Sequence, residues 1–390
     1  MQGKNRIIVS EKGKKRILSG HRWIFRSDIT EDKSGGSDLV CIYDSRGHFL
    51  ATALHSKDSQ IALRTVSTEE VRNIDEHINI SLLNACEYRK SLNLSGDCMR
   101  IVHSESDNLP GLIVDKYSDT IVFQILTRPM ENLKDIIIRK IAEIMNPVQI
   151  FEKNDTTTRQ IEKLPVIVKT VYGKERQIIF CSENHHMFLV NLVNSQKTGE
   201  FLDQKVNRYI VGQNGGGRVL DLFCYHGWFG CNIKNYDELI LADSSEAALK
   251  IAEKNMILNQ KKNYLIKEAN VFDLLRELDK RGERFTTIIL DPPGFIKSRK
   301  DIKNGYAGYK EINLRAMKIL SQDGILATFS CSYYMSDEEF LNMLREAAQD
   351  AKTEFIVREY LRQAPDHREL LGFPESHYLK GFILQKVNKG

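Results

Sequence analysis

Five turns in the C-terminal half of the chain carry residue types that chemistry could use, each following an apolar run. Asp221-Leu222-Phe223-Cys224-Tyr225-His226-Gly227 is the first. A glycine in such a turn lets the backbone approach a ligand closely. Asp243-Ser244 ends the next run, 22 residues beyond Asp221. An acid at that place can accept hydrogen bonds from both hydroxyls of a ribose. The third is Glu268-Ala269-Asn270, where Asn270 could meet an adenine amine and Val271 or Phe272 could flank the ring. The fourth is Asp291-Pro292-Pro293-Gly294-Phe295. Two prolines fix its backbone, so Asp291 and the carbonyls beside it can be aimed at a planar, hydrogen-bonding substrate. The fifth, Ser330-Cys331-Ser332, puts a thiol at the same end. A thiolate that attacks C6 of a pyrimidine makes C5 nucleophilic enough to take a methyl group from a sulfonium. That requires nearby cations or hydrogen bonds to raise the thiolate fraction. Each residue also has a plainer reading. The acids suit helix N-caps or ion pairs, and Cys331 suits a small buried side chain. Four polar residues after four successive runs favour a ligand site.

These runs must be strands if their ends are to meet. Arg218–Phe223, Glu238–Ala242, Tyr264–Lys267, Thr286–Leu290 and Gly324–Phe329 are the strand candidates, with helical segments at Ser245–Asn259 and Gly308–Leu320 between them. Such alternation predicts an α/β, doubly wound parallel sheet, in which ligands sit beyond the carboxyl ends of the strands. Gly215-Gly216-Gly217 reads as a lead-in loop to the first strand. The missing G-x-G-x-x-G fingerprint lowers the case for a nicotinamide dehydrogenase.

The N-terminal part is built differently. Ile7–Val9, Leu39–Tyr43, Leu50–Leu54 and Ile61–Val66 read as short strands of a small β-barrel module, separated by turns such as Ser34-Gly35-Gly36-Ser37. Val71, Ile74, Ile78, Leu82 and Ala85 then fall on one helical face. Strands at Leu112–Val114, Thr120–Leu126, Val148–Phe151, Val166–Val171 and Gln177–Phe180, with a helix around Glu131–Met145, predict an α+β central domain. The expected division is 1–70, 71–183 and 184–390.

Composition bounds the partners. The 390 residues are 42% hydrophobic and 28% charged, as in soluble globular proteins, and suggest two or three domains. No apolar run approaches the roughly 18 residues that span a bilayer. The N-terminus lacks the apolar segment of a signal peptide, so the expected location is cytoplasmic. The seven cysteines lack a CxxC pair, which argues against a zinc site or a disulfide framework; no metal is expected. Net charge is only +4, but Lys4, Arg6, Lys12, Lys14, Lys15, Arg16, Arg22 and Arg26 face Glu11 alone in the first 26 residues. Lys297, Arg299, Lys300 and Lys303 follow the Asp-Pro-Pro turn. Clusters of this kind suit a phosphate backbone, or simply a solvated surface. Trp23 and Phe25 suit either base stacking or a barrel core.

An ordered set of motifs runs through the chain. It comprises Thr198-Gly199-Glu200-Phe201-Leu202-Asp203-Gln204, Asp221–Gly227, Asp291–Phe295, Tyr309-Lys310-Glu311-Ile312-Asn313, Phe329–Ser332, Gln363-Ala364-Pro365-Asp366-His367 and Tyr378-Leu379-Lys380-Gly381. The set resembles the RlmI-type family of large-subunit ribosomal RNA methyltransferases over essentially the whole length. His21-Arg22-Trp23-Ile24-Phe25 is similar to the start of that family's PUA domain, and Asp107–Asp115 to a segment of its central domain. The resemblance implies a PUA-like domain, a central domain built around a β-hairpin and a Rossmann-like class I methyltransferase domain that uses S-adenosylmethionine (SAM). It implies that Phe223, Gly227, Asp243, Ser244 and Asn270 contact SAM with Asp221 and Asp291 nearby, and that Thr198, Phe201 and Gln204 line the donor pocket. It further implies that Cys331 forms a covalent adduct with cytosine, with Asp291 as the second catalytic group. Lys14, Lys15, Arg16, Arg22, Lys297, Arg299 and Lys300 are then the candidate contacts to 23S ribosomal RNA. A homodimer is compatible with the resemblance. Two features depart from related patterns: Asn270 stands where Asp is frequent, and the Asp-Pro-Pro turn lacks the second Cys of many RNA cytosine-C5 enzymes. Methylation of guanine N7 without a covalent intermediate remains an alternative expectation. So does an RNA-binding assembly factor with a vestigial SAM site.

Overall fold

Val40 and Ile42 alternate with Leu39, Cys41 and Tyr43, and the segment folds as a strand with the two aliphatic residues buried. That period of two is what a half-buried sheet requires. In the computed structural model, which describes residues 5–387, the strand belongs to the first of two units: Met1–Cys181, Val190–Leu202 and Pro365–His377. Its six-stranded sheet runs Trp23–Phe25, Ile61–Ser67, Phe49–His55, Leu39–Tyr43, Arg6–Val9, Ile29–Lys33. Lys12, Lys14, Lys15 and Arg16 of the basic stretch lie on an α-helix, Glu11–Leu18, capped by Ser10, whose Oγ accepts from Gly13 N at 3.3 Å. Lys4 lies outside the described residues.

A second, five-stranded sheet in this unit runs Ile167–Gly173, Gln149–Asn154, Thr120–Ile125, Leu112–Tyr117, Cys98–His103. Helices Ile74–Ser91 and Lys134–Met145 supply buried residues to its core, Ile78, Leu82 and Ala85 from the first and Ile137 and Ile141 from the second. Those positions are the i, i+4 stripe visible in the sequence. A polar framework not visible there runs through the same unit. Arg89 is fully buried and donates from both terminal nitrogens to Asp107, at 2.5 and 2.8 Å, and to the Asp366 carbonyl at 2.7 Å. Arg100 is paired with Asp115 at 2.7 and 2.8 Å. Two stretches from the region expected to form the last domain, Val190–Leu202 and Pro365–His377, are thus part of the first unit.

The second unit is Ser182–Leu189, Asp203–Ala364 and Tyr378–Gly390. Its seven-stranded sheet runs Tyr264–Glu268, Asn235–Asp243, Gly216–Leu222, Phe285–Leu290, Leu320–Ser330, Lys380–Val387, Glu354–Arg362. The first five strands are parallel, as the alternating pattern predicts. The last two are antiparallel additions that the sequence reading does not contain. Val219, Leu220 and Leu222 are fully buried, as in a parallel strand covered on both faces. Gly216 and Gly217 are strand residues rather than a lead-in loop. Gly217 has φ +66°, and a Cβ there would overlap the Thr286 side chain, so glycine alone allows the neighbouring strand to pass. The order of strands reverses between Gly216–Leu222 and Phe285–Leu290. The switch point of an open α/β sheet is where its ligand crevice forms.

Candidate active site

The turn after Gly216–Leu222 is held in an unusual backbone conformation. Phe223, Tyr225 and Gly227 have φ of +60°, +48° and +75°. Glycine adopts that region freely, whereas for two aromatic residues it stores strain of the kind found at ligand sites. Gly227 also needs to be small: a Cβ would meet Leu241, Met256 and Ala252 at 3.0–3.2 Å. Asp243 fixes the turn from the adjacent strand. Its Oδ2 accepts from Tyr225 N at 3.0 Å and its Oδ1 from Ser245 N at 2.9 Å. Ser245, not Asp243, caps the following helix, and Ser244 is exposed. Each Asp243 oxygen keeps a lone pair for a further donor.

Asp221 is buried at the end of its strand. Its Oδ2 accepts from Gly230 N at 2.9 Å, and its Oδ1 has no hydrogen-bond partner. Burial pushes its pKa up to about 8, with repulsion from Asp291 and Asp243 adding to the effect. Asp291 lies after the next strand and accepts from Gln204 Nε2 at 2.9 Å, while Gln204 Oε1 accepts from Asn207 at 2.6 Å. The last residue of the Thr198–Gln204 motif therefore reaches the Asp-Pro-Pro turn. Thr198 and Phe201 lie in the first unit. The Thr198 hydroxyl is engaged by Asp115 and lies 3.1 Å from the Tyr117 hydroxyl; the Phe201 ring lies under the Lys197 ammonium at 4.4 Å.

Asn270 is exposed and caps the helix Val271–Lys280, its Oδ1 accepting from Phe272 N and Asp273 N at 2.9 and 3.4 Å. Those two N–H donors settle the amide orientation. The remaining edge is an NH2 donor, suited to adenine N1 and not to the adenine amine. Val271 is part of the core, whereas Phe272 is only partly buried against it. Phe272 and Phe223 both approach Phe295, with centroids at 5.9 and 6.4 Å. The three half-buried phenyl rings form an apolar wall.

Of the seven cysteines, Cys331 alone is exposed, so the reading as a small buried residue does not hold. A Cβ placed on Gly294 would lie 3.5 Å from both Cys331 Sγ and Ser332 Oγ, so the thiol lies beside the Asp-Pro-Pro-Gly turn. Ser332 ties the two turns together. Its Oγ accepts from Ile296 N at 3.1 Å and lies 2.9 Å from the Tyr309 hydroxyl. Burial, and then the neighbouring Cys331, push the Tyr309 hydroxyl above its ordinary pKa.

The basic candidates divide. Lys297, Arg299 and Lys300 are exposed, as is Lys15. Lys14 is paired with Asp44 at 2.8 Å and Arg16 with Asp28 at 3.3 Å. Arg22 is half-buried, and burial holds its pKa below the ordinary value. Trp23 and Phe25 are half-buried and not barrel core. Trp23 Nε1 donates to Glu105 at 2.7 Å, and Arg16 lies 4.7 Å over the Phe25 ring. Among the described residues, no helix is long and apolar enough to cross a membrane.

Residues 7–68 match a PUA-like domain, and residues 205–357 match a methyltransferase small domain. A ribosomal RNA large subunit methyltransferase I from Tolumonas auensis is 34% identical over 98% of this chain and 99% of its own. One of the same name from Aeromonas hydrophila is 36% identical over 95% and 96%. The chain belongs to the ribosomal RNA large subunit methyltransferase I family. It is a SAM-dependent methyltransferase. A putative SAM-dependent methyltransferase from Streptococcus mutans shares its fold, with TM-score 0.84 at 20% identity over 97% of this chain and 99% of the other. A putative methyltransferase solved with SAH has TM-score 0.81 at 18% identity, covering 98% and 100%. The residues present fit the donor. SAM carries an ammonium and a sulfonium, and three acids converge on the strand ends, one with an orphaned buried oxygen. Its adenosine needs a ribose acceptor and an apolar wall, and Asp243 and the phenyl rings have that chemistry.

Proposed function

We propose that this enzyme methylates C5 of a cytosine in 23S ribosomal RNA through a covalent adduct on Cys331. The carrying observation is the exposed Cys331 Sγ beside Gly294 of the Asp-Pro-Pro-Gly turn. When bound, SAM supplies an electrophilic methyl group on a sulfonium. Asp243 holds the ribose hydroxyls, Asn270 and Phe272 the adenine, and Phe223, Gly227 and Ser244 the turn around it. Asp221 and Asp291 supply negative potential to the cationic end, and Gln204 holds Asp291 in place there. Asp291 also accepts from the cytosine amine and orients the ring. Cys331 Sγ then bonds to C6, and the C5–C6 π pair moves into the ring system, which makes C5 nucleophilic. After C5 is methylated, its proton passes to solvent water, the C5–C6 double bond re-forms from that C–H pair, and the C6–S bond breaks to release the Cys331 thiolate. Mass mapping of 23S RNA from a deletion strain tests the reading: one missing 5-methylcytosine is expected, and a missing methylguanine would replace it with the ring-nitrogen reaction.

In this reading the chain acts as three functional parts, 1–70, 71–183 and 184–390, in the cytoplasm where ribosomes are made. Lys15, Lys297, Arg299 and Lys300 contact phosphates, and Lys14, Arg16 and Arg22 do so from the PUA-like part. Replacing Lys297, Arg299 and Lys300 together with Ala is expected to lower the slope of log affinity against log salt by about 2, at about 0.7 per phosphate lost from single-stranded RNA. Filter binding over a salt series checks this; an unchanged slope would mean a merely solvated surface. Asp243→Ala should weaken SAM binding by about ten- to hundredfold, the worth of one or two hydrogen bonds to a charged group, as measured by calorimetry. Binding within twofold of the parent would remove Asp243 from the donor site.

A further inference from the structure

Lys380 opens the antiparallel strand Lys380–Val387 and lies directly opposite Ser330 in the register with Leu320–Ser330. It is 3% exposed, and its ammonium donates to the Ser332 carbonyl at 2.8 Å. A buried lysine head is unfavourable unless something near it uses the charge. The neighbours that feel it electrostatically are Asp337, Glu339 and the Cys331 thiol. Glu339 is already engaged, since its carboxylate accepts from Ser336 N and Ser336 Oγ at 2.7 and 2.8 Å in a capping box. Asp337 is exposed at the start of the same helix. Tyr309 faces the turn from the helix Ile302–Ile319 as a neutral hydroxyl. Lys380 is therefore a cation that faces the Cys331 turn from the strand packed against it.

Resting on the proposed adduct chemistry, we infer that Lys380 is a positioning residue which stabilises the Cys331 thiolate. It acts in two ways. The hydrogen bond to the Ser332 carbonyl holds the Ser330–Ser332 turn against the Asp-Pro-Pro loop. The positive charge favours ionisation of the thiol, whose proton passes to solvent while the ammonium keeps its own. Burial lowers the pKa of Lys380, and the neighbouring Asp337, Cys331 and Glu339 oppose that fall. No neighbouring residue in the sequence signals this pairing, because it is the strand register that sets position 380 opposite position 330, next to Cys331.

The test is the pH dependence of Cys331 alkylation by iodoacetamide in the full chain, followed by mass spectrometry of the Cys331 peptide. The wild-type inflection is expected below the ordinary thiol value of about 8.5. In Lys380→Met it should move up by at least a unit, with the rate at pH 7 falling about tenfold, and Lys380→Arg should restore most of it. A wild-type inflection at or above the ordinary value overturns the inference without any variant. So does a Lys380→Met profile that superimposes on wild type. The adduct reading fails separately, if Cys331→Ala methylates RNA. An unshifted alkylation profile with an inactive Cys331→Ala would remove Lys380 and leave the adduct.

Discussion

Cys331→Ala is expected to reduce methylation of 23S RNA by at least about a thousandfold, more than about 4 kcal/mol of barrier. SAM affinity should stay within about twofold, because Cys331 follows the fifth parallel strand, whereas Asp243 and Asn270, the groups proposed to hold the adenosine, stand at or just past the ends of the second and third. The asymmetry comes from what the thiol does. C5 of cytosine is a poor nucleophile until C6 is saturated, so removing the attacking group removes the reaction and not merely some of its rate. A ring nitrogen of guanine needs only positioning and charge stabilisation, so loss of an exposed thiol would then cost little. The variant therefore decides between the two chemistries. A second measurement gives the same decision without a loss of activity. RNA carrying 5-fluorocytosine presents a C5 substituent that cannot leave as a cation. Wild type should then accumulate a SAM-dependent adduct that survives denaturing electrophoresis, and Cys331→Ala should form none. An active Cys331→Ala enzyme, or a wild type without an adduct, would sink the C5 mechanism.

The parts of this site that were legible in the sequence are those set by the parallel strand rhythm. Asp221, Asp243, Asn270, Asp291 and Cys331 stand at or just past successive strand ends, so recognising five strands was enough to bring them to one edge of a sheet. What was not legible depends on contacts far apart in sequence. Glu354–Arg362 is a sheet edge whose side chains are largely exposed, so its pattern carries no burial signal. Without it and Lys380–Val387, the place of Lys380 opposite Ser330 could not be read. Thr198 belongs to a motif that reads as one functional segment, yet its hydroxyl is engaged by Asp115, while Gln204 reaches Asp291. Asn270 was identified by position, but the cap it makes changed its expected partner on adenine from the amine to N1. Polar side chains in turns serve the backbone first, and only the remaining atoms are available to a ligand.

Between about pH 4 and 8 ligand-free protein is expected to lose stability relative to Asp221→Asn. An ordinary Asp carboxyl titrates near 3.9 in the unfolded chain. In the fold burial raises it to about 8, helped by Asp291 and Asp243 and opposed by the Gly230 N–H. Between those values the folded state keeps a proton that the unfolded state has released, so raising the pH favours unfolding. The full shift corresponds to about 5 kcal/mol by pH 8, an upper bound once water entry is allowed for. Asn keeps an acceptor for Gly230 and cannot ionise. The two proteins should therefore melt alike near pH 4, and at pH 8 Asn should be more stable by about 2–5 kcal/mol, at least about 2 °C in Tm for a chain of this length. Parallel melting curves at both pH values would reject the assignment. The gain in stability comes with a loss of function, as a strained or desolvated site often requires. A cationic donor beside Asp221 lowers its pKa, so wild type should release a proton on binding SAM between pH 7 and 8. Calorimetry in buffers of different ionisation enthalpy reads that proton directly. In Asp221→Asn it should vanish together with about a tenfold or greater loss of SAM affinity, because the unpartnered carboxylate oxygen that destabilises the empty site is the one that favours its cationic ligand.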